Sequence, residues 1–131
     1  MMEVAAGIVQ NDAGEILLCQ RKGELEGLWE FPGGKREVGE SFPECLIREL
    51  SEELSLGVTV IREICRMSYE QKGIPILFSF LWGHVMEKEA LVLTVHQDAR
   101  WVKKDEVFLF PLCPADAAFV KAGWLEKIEQ E

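Results

Sequence analysis

Apolar and polar positions along this chain fall into a few distinct patterns. Residues 4–9 are a short apolar run, Asn11, Asp12, Ala13 and Gly14 interrupt it, and residues 16–19 are apolar again. The start of the chain therefore reads as a strand, a turn and a second strand. Residues 58–69 and 74–85 have the β-branched and aromatic composition of strands and flank the polar turn 70–73, which predicts an antiparallel hairpin. Residues 90–94 and a segment around 100–102 predict two further strands, and residues 105–110 a turn of helix. Between these groups the period changes. Leu46, Leu50 and Leu54 recur at intervals of four with Ile47 beside them, the stripe of an amphipathic helix. Ser41 is placed to cap it, with Pro43 in the first turn and Glu44 completing a capping box. Pro114 opens a last helix, with Ala117, Ala118, Val120, Leu125 and Ile128 along one side.

The polar face of the first helix carries the chemistry. Arg48, Glu49, Glu52 and Glu53 crowd together, and spacings of three and four place the three glutamates close enough to share a cation. Hard oxygen donors of this kind suit Mg²⁺ or Mn²⁺. Gly33, Gly34 and Gly39 precede the helix in what reads as a loop, where missing side chains let the backbone approach a ligand. An acidic amphipathic helix alone is more often a solvated surface. The fixed spacing of the glycines, Glu40 and Arg48 argues for a site instead.

That spacing resembles the signature box of the Nudix hydrolases: Gly, five residues, Glu, seven residues, then Arg-Glu-aliphatic-any-Glu-Glu-any-Gly-aliphatic. Gly34, Glu40, Arg48, Glu49, Leu50, Glu52, Glu53 and Leu56 match it, and Ser55 stands where the pattern has glycine. The stretch GLWEFPGGK, residues 27–35, is similar to the MutT-type branch, which cleaves nucleoside triphosphates to the monophosphate and pyrophosphate. The resemblance implies an α/β (α+β) fold, a Nudix-type α/β/α sandwich with a mixed β-sheet and two main helices. It also implies a metal held by Glu49, Glu52, Glu53 and the Gly33 carbonyl. Glu53 would then be the general base, Arg48 would orient Glu49, and Glu40 would support the loop or an outer metal shell. Gly34 and Lys35 belong to the substrate side. Arg21 and Lys22 would face the phosphates, or are surface cations at a strand end. Tyr69, Ile76 and Phe78 would line the base, or are core. Asp116, after Pro114 and Ala115, would reach the base edge or cap the last helix; a carboxylate there suits cytosine or guanine types. Relatives often carry a further glutamate just ahead of a histidine, but here Val95 precedes His96, with Glu87 or Glu89 as substitutes nearby.

Composition narrows the reading. A chain of 131 residues fits a single domain. Fourteen basic against 23 acidic residues give a net charge of -9, which argues against a nucleic-acid polymer or an anionic membrane as partner. A polyphosphate substrate would need its charge offset locally by metal ions. The longest apolar run, 74–82, is too short to span a bilayer. The first residues lack a signal-peptide pattern, so a cytoplasmic location is expected. Cys19, Cys45, Cys65 and Cys113 are scattered without zinc-site spacing and are expected to be reduced, mostly buried thiols. By its resemblance to the MutT-type branch, the chain reads as a Mg²⁺-dependent nucleoside triphosphate pyrophosphohydrolase acting on CTP, modified cytosine nucleotides or 8-oxo-dGTP. A related hydrolase of another diphosphate, or a nucleotide-binding domain without catalysis, is the alternative.

Overall fold

The computed structural model describes residues 1–86 and 91–128. One mixed sheet contains β1 (Met2–Gln10), β2 (Ile16–Arg21), β3 (Trp29–Glu30), β4 (Gly33–Lys35), β5 (Val58–Gln71), β6 (Ile74–Val85) and β7 (His96–Val102). Its order is β3-β2-β1-β6-β5, with β4 also on β1 and β7 also on β2. The β1–β6 pair is parallel and the remaining pairs between these strands are antiparallel. Two helices, α1 (Phe42–Leu54) and α2 (Pro114–Lys121), pack on opposite faces.

The apolar runs of β1 and β2 are continuous because both sheet faces are covered. Ala5, Val9, Leu17 and Cys19 join Leu46, Leu50 and Leu54 of α1 in one layer. Ala6, Ile8, Ile16 and Leu18 join Phe119 of α2 and Leu125 in the other. The architecture is the expected α/β/α sandwich. Among the described residues, no helix is long and apolar enough to cross a membrane.

α1 begins as its sequence dictates. The Ser41 N–H donates to Glu44 Oε1 at 2.8 Å and the Glu44 N–H donates to Ser41 Oγ at 3.1 Å. At its end Ser55 adopts φ 53, ψ 37, the left-handed conformation of a helix C-terminal cap, and the Leu56 N–H reaches back to the Leu50 carbonyl. Glycine is favoured there because a Cβ is strained in the left-handed region by about 1–2 kcal/mol. The one departure from the signature pattern thus falls at the helix C-terminal cap. Ser55→Gly is expected to raise stability by about 1 kcal/mol and the melting temperature by a few degrees at unchanged turnover. Thermal melts beside rate assays check this.

Several expectations are corrected. Gly33 and Gly34 form a strand rather than a loop: β4 pairs with β1 so closely that a Cβ on Gly33 would overlap the Ala5 carbonyl. The strand expected at 90–94 does not form over 91–94; Ala90, Glu87 and Glu89 lie outside the described residues. The Val92 N–H instead caps the Leu54 carbonyl, and Thr94 Oγ donates to the Glu53 carbonyl at 3.0 Å. The last helix stops at Lys121, because Gly123 takes φ 85, and resumes as a 3-10 turn, Trp124–Lys127. Its buried side is Ala115, Asp116 and Phe119, while Ala117 is exposed. Ile47 is likewise exposed, off the leucine stripe. The helical turn after β7 is a 3-10 segment, Lys104–Leu109. The four thiols are free; Cys19, Cys45 and Cys113 are buried and Cys65 is half-buried.

Candidate active site

A cleft of about 740 Å³ opens where β4, the C-terminal half of α1, the β5–β6 hairpin and the N-terminus of α2 meet. Many residues singled out from the sequence line it: Arg21, Lys22, Gly33, Gly34, Lys35, Glu49, Glu53, Ile76, Phe78 and Asp116. Arg48, Glu40, Glu52 and Tyr69 do not. Tyr69 pairs with Ile76 across the hairpin and is half-buried outside the cleft wall.

Arg48 is the organising cation of the acidic helix. Its Nε and Nη2 donate to the two oxygens of Glu40 at 2.6 and 3.0 Å, a bidentate pair. Nη1 donates to Glu49 Oε1 at 3.0 Å and to Glu52 Oε2 at 3.3 Å, and Nη2 also reaches the Lys35 carbonyl at 3.0 Å. The guanidinium bond, aided by the Glu37 backbone N–H, holds the Glu40 carboxyl down at about 2. Arg48 therefore ties helix, signature loop and β4 into one unit.

Glu49 and Glu53 face the cleft, whereas Glu52 is drawn outward to Arg48 and its side chain is 59% exposed. As the side chains stand, no three acidic, cysteine or histidine groups among the described residues converge to hold a metal. The donors nevertheless fit one. Burial first, then the hydrogen bond and charge of Glu49, push the Glu53 carboxyl up to about 8. A carboxylate pair this crowded retains a proton until a cation replaces it. Gly34 supplies the matching cradle, since a Cβ there would overlap the Glu49 carboxyl. Gly34→Ala is expected to displace Glu49 and reduce turnover by about 10²-fold with the fold retained, as paired rate and circular-dichroism measurements would register.

The cleft wall also carries a buried carboxyl from α2. Asp116 is 5% exposed, and its Oδ1 accepts from the Phe31 N–H at 3.4 Å. Burial, then the charge of Glu30, push its carboxyl well above the usual range. At the mouth, Lys72 Nζ of the hairpin turn reaches Glu24 Oε1 at 2.7 Å from the β2–β3 loop.

Sequence reasoning missed Glu30 and His96. Both line the cleft, and His96 Nε2 lies 2.9 Å from Glu30 Oε2. Arg21, expected either to face the phosphates or to be a surface cation at a strand end, donates to Glu30 Oε1 at 2.9 Å and to the Glu24 carbonyl. The Val95-His96 departure was the available signal, but it pointed to a lost acid rather than to the histidine.

A sheet between two helices, with an Arg-organised acidic helix against a glycine strand, frames a cleft with Glu49 and Glu53 on its wall. The chain belongs to the NUDIX domain family, whose pattern matches residues 1–123. It is 39% identical over 125 residues to the CTP pyrophosphohydrolase of Escherichia coli (strain K12), covering 93% of this chain and 90% of that protein. It is 32% identical over 130 residues to the 8-oxo-dGTP diphosphatase of Haemophilus influenzae, covering 92% and 89%. Among solved structures, that of the E. coli ORF135 protein matches with a TM-score of 0.83 and 36% identity over 99% of this chain and 93% of that one. The MutT protein from Methanosarcina mazei Go1, at 21% identity and a TM-score of 0.82 over 99% and 96%, shares the fold.

Proposed function

We propose that this protein is a divalent-metal-dependent nucleoside triphosphate pyrophosphohydrolase that removes cytosine nucleotides, CTP or its modified forms, from the nucleotide pool. The observation that carries the reading is one cleft lined both by Glu49, Glu53 and the Gly33–Lys35 strand and by Asp116, Ile76 and Phe78. The length and identity of the match to the E. coli CTP pyrophosphohydrolase support cytosine.

Glu49, Glu53, the Gly33 carbonyl and Glu52, after Glu52 turns from Arg48, would hold Mg²⁺, with Mn²⁺ as a substitute. Bound there, the ion supplies positive charge to the phosphate oxygens and acidifies water. Glu53 takes the proton of the attacking water at its carboxylate. Water oxygen bonds to an internal phosphorus, the P–O bond to the outer phosphates breaks, and pyrophosphate leaves the monophosphate behind. Arg48 holds Glu49 and the β4 backbone in place, Lys22 and Lys35 offset phosphate charge, and Ile76 and Phe78 pack on the base. The Asp116 carboxyl, when protonated, would offer one donor and one acceptor, the complement of cytosine N3 and its amino group.

Pyrophosphate release across CTP, 5-substituted cytosine nucleotides, the other canonical triphosphates and 8-oxo-dGTP tests the assignment. CTP or a modified form should show the highest kcat/KM. A preference for 8-oxo-dGTP would favour the second reading, which the name of the H. influenzae relative supports; no turnover from folded protein would contradict both.

A further inference from the structure

The end of α1 that carries Glu53 is the end least held by the helix itself. Glu53 is the last residue but one before the helix closes at Leu54, and the final carbonyls of an α-helix have no partner within it. The helix macrodipole adds partial negative charge at the same place. No basic residue stands in the last turn to offset it, and Glu49, Glu52 and Glu53 crowd the same end. Arg48 steadies Glu40, Glu49 and Glu52, but among the described residues none of its bonds reaches Glu53.

The missing support comes from elsewhere in the chain. The Ser55 and Leu56 N–H groups turn back to the carbonyls of Ser51 and Leu50. The carbonyls of Leu54 and Glu53 are met instead by the segment ahead of β7. There the Val92 N–H donates to Leu54 at 3.1 Å, and Thr94 Oγ donates to Glu53 at 3.0 Å across 41 positions of sequence. This segment is anchored on both sides. Leu91 packs against the leucine layer of α1, and His96, the first residue of β7, lies with Nε2 2.9 Å from Glu30 Oε2. Val95 between them lines the cleft. Of these bonds to the helix end, the Thr94 hydroxyl is the one that a side chain supplies. It restrains the backbone from which the Glu53 carboxyl reaches the cleft wall, and it sets a donor against the negative end of the dipole.

We propose that Thr94 is a positioning residue for Glu53, its hydroxyl holding the Glu53 carbonyl so that the carboxyl keeps its place on the cleft wall. The proposal rests on the reading of Glu49 and Glu53 as metal-holding groups and adds a residue outside the signature segment on which that end of α1 depends. Valine at this position keeps the branched shape and loses the donor. Serine keeps the donor and loses only a methyl group.

The test compares wild type, Thr94→Val and Thr94→Ser in two assays: Mg²⁺ affinity by calorimetry without nucleotide, and kcat and KM for CTP. Thr94→Val should weaken Mg²⁺ binding and lower kcat by about tenfold each, the low end for a partner that orients a metal ligand, with KM for CTP within about twofold of wild type. Thr94→Ser should recover most of both losses. Thr94 is exposed, so its replacement leaves the core intact; thermal melts verify this, and Thr94→Ala repeats the comparison with a second variant that lacks the donor. Wild-type Mg²⁺ affinity in Thr94→Val, or a loss in Thr94→Ser as large as in Thr94→Val, would overturn the proposal, as would a lower melting temperature with kcat and Mg²⁺ affinity unchanged. Mg²⁺ binding that weakens in Thr94→Val and returns in Thr94→Ser, in a protein that hydrolyses no triphosphate, would retire the pyrophosphohydrolase reading and leave the positioning role standing.

Discussion

Glu53→Gln should lower turnover by about 10²–10⁴-fold, the usual worth of a positioned general base, while nucleotide affinity changes by only a few-fold. The reason is its place: half-buried, facing the cleft and hydrogen-bonded to Glu49. The same substitution should alter stability without metal, in a direction that the raised carboxyl fixes. The folded protein holds this proton up to about pH 8, against about 4.5 for an ordinary glutamate. Its contribution is fully present below 4.5 and is lost as pH rises toward 8, with a slope of at most about 1.4 kcal/mol per pH unit. Denaturant melts with chelator at pH 5 and pH 8 should show wild type losing stability over that interval and Glu53→Gln losing less. Equal loss of turnover and nucleotide affinity, or parallel pH profiles, would remove Glu53 from its assigned role.

Arg48→Met should be the second most damaging change. One guanidinium holds Glu40, Glu49, Glu52 and the Lys35 carbonyl, and its loss leaves carboxylates facing each other with no cation between them. Turnover should fall about 10- to 100-fold, the effect of losing a partner that orients the proposed metal ligands, and the melting temperature should drop by several degrees. Arg48→Lys should rescue little, because an ammonium cannot reproduce the bidentate fork on Glu40. A pH signature accompanies the loss. Glu40 is held at about 2 by this arginine, so its contribution to wild-type stability is present above about 4.5 and disappears as pH falls toward 2. In Arg48→Met that acid-side decline should be shallower. Wild-type activity in Arg48→Lys would show that charge alone, rather than geometry, is what Arg48 provides.

What the sequence revealed and what it withheld follow from the range of the interactions. The cap, the leucine stripe and the acidic face of α1 were legible because they depend on residues three and four apart. The Glu30–His96 contact was not, since it joins positions 66 residues apart through two strand pairings. β4 escaped because glycine carries no strand signal, and here its lack of a side chain is what lets it approach β1. The outward turn of Glu52 escaped for a different reason. Helical spacing locates its Cα, while the competing attraction of Arg48 decides where the carboxylate goes. Position 116 was picked out by its place after Pro114 and Ala115, but its burial depends on the packing of α2 against the sheet.

The most direct test of the central claim is to identify the products of CTP hydrolysis by phosphorus NMR, with Mg²⁺ and with chelator. CMP and pyrophosphate should appear in equal amounts with Mg²⁺, and no turnover should occur without it. CDP and orthophosphate as products, or an undiminished rate in chelator, would contradict it.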